Sequence, residues 1–118
     1  MKILLVEDDE IVRDTISAML KFEKHDIDIT ASAEEALLKL PGDYDLVISD
    51  IVLQQMDGLS LLDQVNGMQP KVPVMLISGI GGSDIENTCR HKGAAGFIQK
   101  PFQMNAFLAM VEKAGRNS

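Results

Sequence analysis

The sequence has few of the residues that build disulfides and zinc sites. It contains one cysteine, two histidines, one tyrosine and no tryptophan. The single Cys89 cannot form an internal disulfide, which is typical of a reducing compartment, and we expect a cytoplasmic protein. Two histidines and one cysteine argue against a zinc site. His25 and His91 are interpreted as ordinary surface residues.

Long apolar runs and an excess of basic residues are also absent. No apolar run approaches the ~20 residues that a helix needs to cross a bilayer, so no membrane span is predicted. The apolar stretch at the start of the chain stops at acidic residues and is too short for a signal peptide. The chain carries 18 acidic and 11 basic residues, for a net charge of −7. Binding to a phosphate backbone needs a basic surface, so no direct contact with nucleic acid is expected.

The length and composition of the chain are those of one folded domain. The chain has 118 residues, of which 46% are hydrophobic and 25% are charged, as in a soluble globular protein. Domains cluster near ~100–150 residues, so a single domain over residues 1–118 is predicted. The surplus of carboxylates either serves solubility alone or, where several acids converge, suits a cation site.

Apolar segments alternate with helical patterns along the whole chain. Three of the segments are continuous and rich in Ile, Leu and Val, as in strands buried on both faces of a parallel sheet. The predicted strands are Ile3–Val6, Ile27–Thr30, Leu46–Ser49, Val72–Ile77 and Gly96–Ile98. Apolar residues at helical spacing follow each strand. This alternation predicts an α/β domain with helices on both faces of a parallel sheet.

Local signals indicate where several helices begin and end. Ser32 is a predicted N-cap of the second helix, and Glu35 stands at the spacing of a capping box. The third helix is predicted to end near Asn66-Gly67. Met56-Asp57-Gly58 is interpreted as a structural turn that starts this helix, and the fourth helix is predicted after Ser83.

Chemically distinctive side chains follow four of the predicted strands. They are Glu7, Asp8 and Asp9 after the first strand, Asp50 after the third, Ser78 after the fourth and Lys100 after the fifth. Ligands of open α/β sheets bind beyond the carboxyl ends of the strands. These side chains are therefore expected to lie along one edge of the sheet.

This set of residue types suits phosphoryl transfer. Neighbouring carboxylates need a counter-charge, and Mg²⁺ prefers oxygen ligands and works beside phosphate. A carboxylate can also act as a nucleophile and form an aspartyl-phosphate. A metal ion and a lysine stabilise the charge on the phosphoryl oxygens, and a serine hydroxyl can donate a hydrogen bond to one of them.

Together, these motifs resemble the receiver domains of two-component response regulators over essentially the whole chain. The matching segments are ILLVEDD at 3–9, LVISD at 46–50, MDG at 56–58, LISG at 76–79 and Lys100-Pro101 followed by Phe102. Each segment is weak alone, whereas the set in this order is highly specific. The resemblance implies a chemotaxis-regulator-like fold. This is a three-layer, doubly wound, flavodoxin-like (βα)5 domain with a parallel sheet of order 2-1-3-4-5.

The resemblance also implies roles for the site residues. Asp50 would accept the phosphoryl group, and Lys100 would pair with that group. The implied cofactor is Mg²⁺, held by Asp50, by the acidic pair Glu7 and Asp8, and by the backbone carbonyl of Val52. Asp8 would be a direct ligand of the metal, whereas Glu7 would act mainly through water.

The acidic pair has an alternative assignment, Asp8 with Asp9. Glu7 with Asp8 is preferred because family members place the pair directly after the strand, with an arginine five residues beyond the second acid. Arg13 fits that spacing. Asp9 is then a predicted N-cap of the first helix. The resemblance further implies a cis peptide bond before Pro101.

Ser78 and Phe97 are the implied switch residues. Phosphorylation would draw Ser78 toward the phosphoryl group and let Phe97 turn inward, which would change the surface of helix four, strand five and helix five. The donor would be a sensor histidine kinase or a histidine phosphotransfer protein, and a downstream protein would bind the changed surface. The chain would catalyse only its own phosphorylation and dephosphorylation. Dimerisation on phosphorylation is left open.

Two apolar residues and a glycine-rich loop are expected to affect the site. Val52 and Ile80 flank it, and side chains there influence how water reaches the phosphoryl group in the family. Slow self-dephosphorylation is therefore expected. The loop at residues 79–82 has three glycines and is expected to be mobile and to tighten on phosphorylation.

Three other interpretations are open from the sequence. The chain could be a receiver cut from a larger regulator, such as a DNA-binding regulator or a hybrid kinase. It could be a pseudo-receiver that binds partners without phosphorylation, although Asp50, Lys100 and Ser78 argue against this. An aspartyl phosphatase would resemble a pattern with a second aspartate two residues after the first, where this chain has Val52.

Overall fold

The computed structural model describes residues 1–53, 56–79 and 82–115 of the chain. Strands and helices alternate strictly along it. The strands are β1 (Lys2–Val6), β2 (Asp26–Thr30), β3 (Leu46–Asp50), β4 (Val74–Ser78) and β5 (Gly96–Gln99). The helices are α1 (Glu10–Phe22), α2 (Ala33–Lys39), α3 (Gly58–Asn66), α4 (Ser83–His91) and α5 (Met104–Ala114).

The strands form a single parallel sheet in the order β2-β1-β3-β4-β5. This confirms the flavodoxin-like fold and the strand order that the resemblance implied. Because β1 and β3 are central, their residues are buried almost throughout. β2 is an edge strand and only partly buried, which explains its weaker apolar pattern.

Successive strand residues point to opposite faces of the sheet and divide the core into two clusters. Ile3 and Leu5 of β1 face α1 and α5, where they pack with Ile16 and Phe107. Leu4 and Val6, which alternate with them in β1, face α2, α3 and α4. The result is three layers, with two helices on one face of the sheet and three on the other.

The helix caps confirm the local predictions. The side chain of Asp9 accepts a hydrogen bond from Val12 N at 3.0 Å, at the start of α1. Ser32 accepts one from Glu35 N at 3.1 Å, at the start of α2. The C-cap of α3 is Gly67, as predicted from the Asn66-Gly67 pair. Every helix within the described residues is too short or too polar to cross a membrane.

Two expectations from the sequence are wrong. β4 begins at Val74 rather than Val72 because residue 73 is a proline, which has no N–H to donate to the sheet. His25 is buried, not a surface residue. Its Nδ1 lies 3.1 Å from the N-terminal nitrogen of Met1, and its Nε2 lies 3.3 Å from Glu112 Oε1. His25 is therefore enclosed by the N-terminus and α5.

Candidate functional site

The pleat of the sheet places three charged residues on one face at its carboxyl edge. Glu7 continues the alternation of Ile3 and Leu5, and Asp50 continues that of Leu46 and Ile48, so both belong to the α1/α5 face. Lys100 follows β5 on the same face, two residues beyond Ile98, which packs against this cluster. Three distant segments of sequence thus meet in one place.

The lysine and the two acids form a compact charged cluster. Lys100 Nζ lies 2.5 Å from Asp50 Oδ2 and 3.8 Å from Glu7 Oε2. The side chain of Lys100 is 27% exposed, compared with 8% for Asp50 and 2% for Glu7. The acids therefore lie below a lysine that reaches in from the rim of the site.

Backbone groups hold both carboxylates in place. Asp50 Oδ1 accepts a hydrogen bond from Val52 N at 3.0 Å. Glu7 Oε1 accepts one from Asp9 N at 3.1 Å. Below Asp50, the backbone N of Ile51 donates to the carbonyl oxygen of Ile77 at 2.9 Å, which extends the sheet one residue past β3. The orientation of the two acids is therefore set by the strand ends themselves.

Burial and neighbouring charges shift the pKa values of Glu7 and Lys100. Burial raises the pKa of Glu7 to about 7, and the nearby Asp50 charge adds to this, although the Asp9 N–H and Lys100 oppose it. Burial alone would lower the pKa of Lys100. The hydrogen bond to Asp50 and the charges of Asp50 and Glu7 outweigh burial, and the net shift is upward. The two acids thus compete for one lysine.

The acids at this edge fit a divalent cation that keeps part of its water shell. Within residues 1–53, 56–79 and 82–115, no three His, Cys, Asp or Glu side chains form a ready-made metal cage. Mg²⁺ needs no such cage, since it is usually bound by one or two carboxylates together with waters and a phosphate. Glu7 Oε2 is buried and has no hydrogen-bond partner among the described residues. A hard cation would satisfy this oxygen.

Asp8 differs from its neighbours in this acidic segment. It is partly exposed, and it makes no hydrogen bond or ion pair with any other residue that the structure describes. Asp9 is committed to capping α1. Glu7, through its buried Oε2, and Asp8 are therefore the acids of this segment that remain for a cation, which is the pairing preferred from the sequence.

Ser78 and Phe97 lie on the other face of the sheet. Ser78 continues the alternation of Val74 and Leu76 and is fully buried at the end of β4. It is the residue after Ile77, which is the partner of Asp50 in the strand register. Phe97 is partly buried, packs against the core under α4, and lines a cavity of about 190 Å³ between α4, β5 and α5.

Comparison with known proteins decides the family of this fold and site. The family model of the response regulator receiver domain matches residues 3–112. The chain is a response regulator receiver domain. Receiver domains are signalling proteins rather than conventional enzymes.

Curated relatives of this receiver domain are longer regulatory proteins. The response regulator protein FleR of Pseudomonas aeruginosa is 37% identical over 113 residues, which cover 95% of this chain and 24% of FleR. The cell cycle response regulator CtrA of Brucella ovis is 30% identical over 119 residues, which cover all of this chain and 51% of CtrA. The chain therefore spans between a quarter and about half of these relatives.

Solved receiver structures superpose closely on the chain. The non-phosphorylated HemR receiver domain of Leptospira biflexa is 31% identical, with a TM-score of 0.86 and coverage of 96% of this chain and 92% of that chain. A CheY-like receiver domain protein from Methanospirillum hungatei is 27% identical, with a TM-score of 0.85 and coverage of 95% and 90%. The fold is thus shared over nearly the whole domain.

The remaining site predictions for this receiver domain have different outcomes. The peptide bond between Lys100 and Pro101 is cis, as the resemblance implied. The side chain of Val52 is 57% exposed beside the site. Ile80 and Gly81 lie outside the described residues, and the expectations of slow self-dephosphorylation and of a tightening loop stay predictions.

Two features of the receiver site were not found from the sequence. The first is the close packing of Gly58 against the end of β3, which had been interpreted only as part of a turn. The second is an apolar groove of about 310 Å³ beside Lys100, between α1 and the loop that follows β5. The exposed Ile11 lies on one side of this groove and Phe102 on the other. The groove joins segments far apart in sequence, so no local pattern indicates it.

Added Mg²⁺ is expected to stabilise the folded receiver domain. A ligand that binds only the native state adds about 1.4 kcal/mol to the free energy of unfolding when its concentration is ten times its Kd. The gain is expected to disappear in the Asp8→Asn variant, because the family resemblance implies that Asp8 would contact the metal directly. Urea unfolding with and without Mg²⁺ measures both values. Asp14→Asn, which changes an exposed acid of α1, is the matched control and should keep the gain.

Proposed function

We propose that the chain accepts a phosphoryl group on Asp50 in a Mg²⁺-dependent reaction and signals through the surface formed by α4, β5 and α5. The observation that most supports this is the pairing of the buried Asp50 carboxylate with Lys100 beside a second buried acid, Glu7. A group of this kind at the carboxyl edge of a parallel sheet suits nucleophilic attack by a carboxylate on a phosphorylated donor.

The proposed step transfers a phosphoryl group from a histidine of the donor protein to Asp50. An oxygen of the Asp50 carboxylate forms a bond to phosphorus while the bond from phosphorus to the donor's histidine nitrogen breaks. The imidazole keeps the electron pair of the broken bond. If its other ring nitrogen carries no proton, it takes one from water, so that the donor's histidine leaves in its neutral form. Asp50 becomes an acyl phosphate. Acetyl phosphate can replace the protein donor, in which case acetate leaves.

The surrounding residues hold and stabilise the phosphoryl group. Lys100 already contacts Asp50 and lies where it can remain paired with a phosphoryl oxygen. Glu7, Asp8, Asp50 and the carbonyl of Val52 would hold Mg²⁺. The ion, when bound, would offset the negative charge that gathers on the phosphoryl oxygens. The hydroxyl of Ser78, one strand away from Asp50, would donate to one of those oxygens.

The switch would pass from Ser78 to Phe97. Both residues lie on the sheet face covered by α4, and Phe97 borders the cavity between α4, β5 and α5. Movement of Ser78 toward the phosphoryl group changes the packing next to this ring. A downstream protein that binds one position of the ring better than the other would read the change.

Intact-mass measurement after incubation with acetyl phosphate and Mg²⁺ tests the proposed chemistry. The Asp50→Asn variant is the control, because an amide cannot accept the phosphoryl group. This assay needs no knowledge of the natural donor, since acetyl phosphate reacts with the site alone.

The apolar groove beside Lys100 is the proposed docking surface for a phosphohistidine donor. It is continuous with the phosphoacceptor site, because Lys100 both lines the groove and contacts Asp50. Ile11, on its rim, is 78% exposed and adds apolar surface at the edge of the groove. A protein that brings phosphohistidine to Asp50 must cover this surface, whereas acetyl phosphate need not touch it.

Ile11→Ala is expected to slow phosphorylation by a sensor histidine kinase that phosphorylates the wild-type chain, by about tenfold. Truncating one buried apolar contact costs roughly 1–2 kcal/mol, or about a factor of ten in rate. Phosphorylation by acetyl phosphate should change by less than ~2-fold, since the site itself stays intact. The measurement is transfer of radiolabelled phosphate from the kinase.

Leu38→Ala is the matched control for the docking surface. Leu38 is 88% exposed, but it lies on α2, on the opposite face of the sheet. Equal loss of kinase transfer in both variants, or a parallel loss with acetyl phosphate in Ile11→Ala, would contradict docking in the groove.

A further inference from the structure

The loop from Lys100 to Gln103 joins β5 to α5 and carries the lysine of the site. Pro101 and Gln103 are exposed, and the Lys100 side chain reaches toward the acids. Phe102 is partly buried and packs against the core cluster on the α1/α5 face. It is therefore the residue of this loop that fixes it to the body of the domain.

The contact of Phe102 has the geometry of a hydrophobic staple. Phe102 precedes Gln103, the N-cap of α5, and stacks on Phe107, the fourth residue of that helix. The ring centroids are 4.9 Å apart with an interplanar angle of 16°. Phe107 is fully buried, and Gln103 makes no side-chain capping bond. A staple between these two positions sets the angle at which the chain enters the helix.

The other end of the loop is fixed by the sheet. The backbone N of Lys100 donates to the carbonyl oxygen of Ser78 at 2.7 Å. Lys100 thus lies between an anchor on β4 and the anchor that Phe102 provides on α5. Loss of the second anchor leaves the chain after Lys100 free to adopt other directions, and the ammonium group is then no longer held at one distance from Asp50.

We infer that Phe102 is a positioning residue for phosphoryl transfer. Its stack on Phe107 holds the loop so that Lys100 reaches Asp50. This inference rests on the proposed function, since it assigns Phe102 a part in that reaction. Phe102 also lines the apolar groove, which gives it a second face toward a protein donor. A small donor isolates the positioning role, because acetyl phosphate does not need the groove.

The test is the rate of phosphorylation by acetyl phosphate at saturating Mg²⁺, followed by intact mass. Phe102→Ala is expected to lower the rate by about 10- to 100-fold, the range expected when a reacting group is misplaced by up to ~1 Å. Phe102→Leu keeps an apolar staple and should stay within ~3-fold of the wild type. Phe22→Ala removes a phenylalanine that is 72% exposed at the far end of α1, and should leave the rate unchanged.

A second readout separates positioning from general loss of structure. In the unphosphorylated protein, the side-chain NMR signal of Lys100, assigned with a Lys100→Met variant, reports its pairing with Asp50. It should move toward the position of an exposed lysine in Phe102→Ala and stay in place in Phe102→Leu and Phe22→Ala. Circular dichroism checks that each variant is folded. Phe102→Val, whose shorter, β-branched side chain loses more of the contact with Phe107 than leucine does, replaces the alanine variant if the latter does not fold.

The outcomes distinguish failure of this inference from failure of the proposed function. A wild-type rate in Phe102→Ala overturns the inference, and so does a slower rate with an unmoved Lys100 signal. No phosphorylation of the wild type overturns the proposed function instead. In that case the NMR comparison still decides whether Phe102 holds Lys100 beside Asp50.

Discussion

Incubation with acetyl phosphate and Mg²⁺ is expected to add one phosphoryl group to the wild-type chain and none to the Asp50→Asn variant. The carboxylate of Asp50 is buried at the edge of the sheet. One of its oxygens accepts a hydrogen bond from Val52 N and the other accepts one from Lys100 Nζ. An amide at this position is a far weaker nucleophile, and it also loses the charge that pairs with Lys100. Intact mass before and after incubation measures the gain.

Two controls make this result specific to the site. Chelation of Mg²⁺ before the reaction should abolish the gain, because the charge on the phosphoryl oxygens is then left to Lys100 alone. Asp63→Asn changes an exposed acid of α3 that pairs with Lys92, outside the charged cluster, and should leave the gain intact. Phosphorylation of the Asp50→Asn variant at the wild-type level would show that another residue is the acceptor.

A wild-type chain that gains no mass under any of these conditions would change the interpretation of the domain. The receiver fold would remain, since it depends on the strand order and on the family match. The cluster of Glu7, Asp50 and Lys100 would then have only a structural role. The domain would bind its partners without phosphorylation. The groove beside Ile11 and the cavity beside Phe97 would then be the surfaces on which to test partner binding.

Gly58→Ala is expected to lower the free energy of unfolding by about 1–3 kcal/mol, the usual cost of forcing extra atoms into packed structure. A Cβ at this position would lie 2.4 Å from the backbone oxygen of Asp50 and 2.9 Å from Cα of Ile51. Both are backbone atoms, so no side-chain rotation relieves the contact. The start of α3 must instead move away from the end of β3. Urea unfolding followed by circular dichroism measures the loss.

The same substitution should also slow phosphorylation. The backbone N of Gly58 donates to the carbonyl oxygen of Ile51 at 2.8 Å, so the start of α3 is fastened to the chain next to the phosphoacceptor. Displacing this contact shifts Asp50 relative to Lys100. A fall of about tenfold in the rate with acetyl phosphate is expected, since a misplacement of ~1 Å can cost about 10²-fold.

Gly67→Ala is the matched control at the other end of α3. The nearest atom to a Cβ there is Gln64 O at 3.6 Å, an ordinary contact, and the φ of Gly67 is −86°, which alanine adopts readily. Stability should change by less than about 0.5 kcal/mol or rise slightly, because alanine narrows the unfolded ensemble. A similar loss in both glycine variants would show that the Gly58 contact has no special cost.

Local sequence was sufficient to predict the strands and helices and several of their ends, although β4 begins two residues later than predicted. Ser32 was predicted as a cap from its spacing to Glu35, because a cap acts on backbone N–H groups two or three residues away. Asp9 was predicted as a cap once Glu7 and Asp8 had been assigned to the acidic pair. The buried strands were predicted because short continuous apolar runs rich in Ile, Leu and Val are typical of a parallel sheet covered on both faces. The edge strand β2 was the weakest of these predictions, since most of its residues are exposed or only partly buried.

Long-range contacts were not available from local patterns. His25 looks like a surface residue between charged neighbours, yet the N-terminus and α5 enclose it. The stack of Phe102 on Phe107 joins residues only five apart, but it could be recognised only once the start of α5 was known. The contact of Gly58 with Asp50 depends on the path of the chain between β3 and α3. Each joins groups whose approach the rest of the fold decides.

The sequence by itself determined the class of fold, the family and the residues that could carry phosphoryl transfer. It did so because strand pattern and strand-end chemistry repeat along the chain in a fixed order. Only the tertiary structure decided which of those residues meet. Glu7, Asp50 and Lys100 lie at or just beyond the ends of three separate strands, and their distances follow from sheet order and pleat. Ser78 lies on the opposite face for the same reason, because neighbouring positions along a strand point to opposite sides.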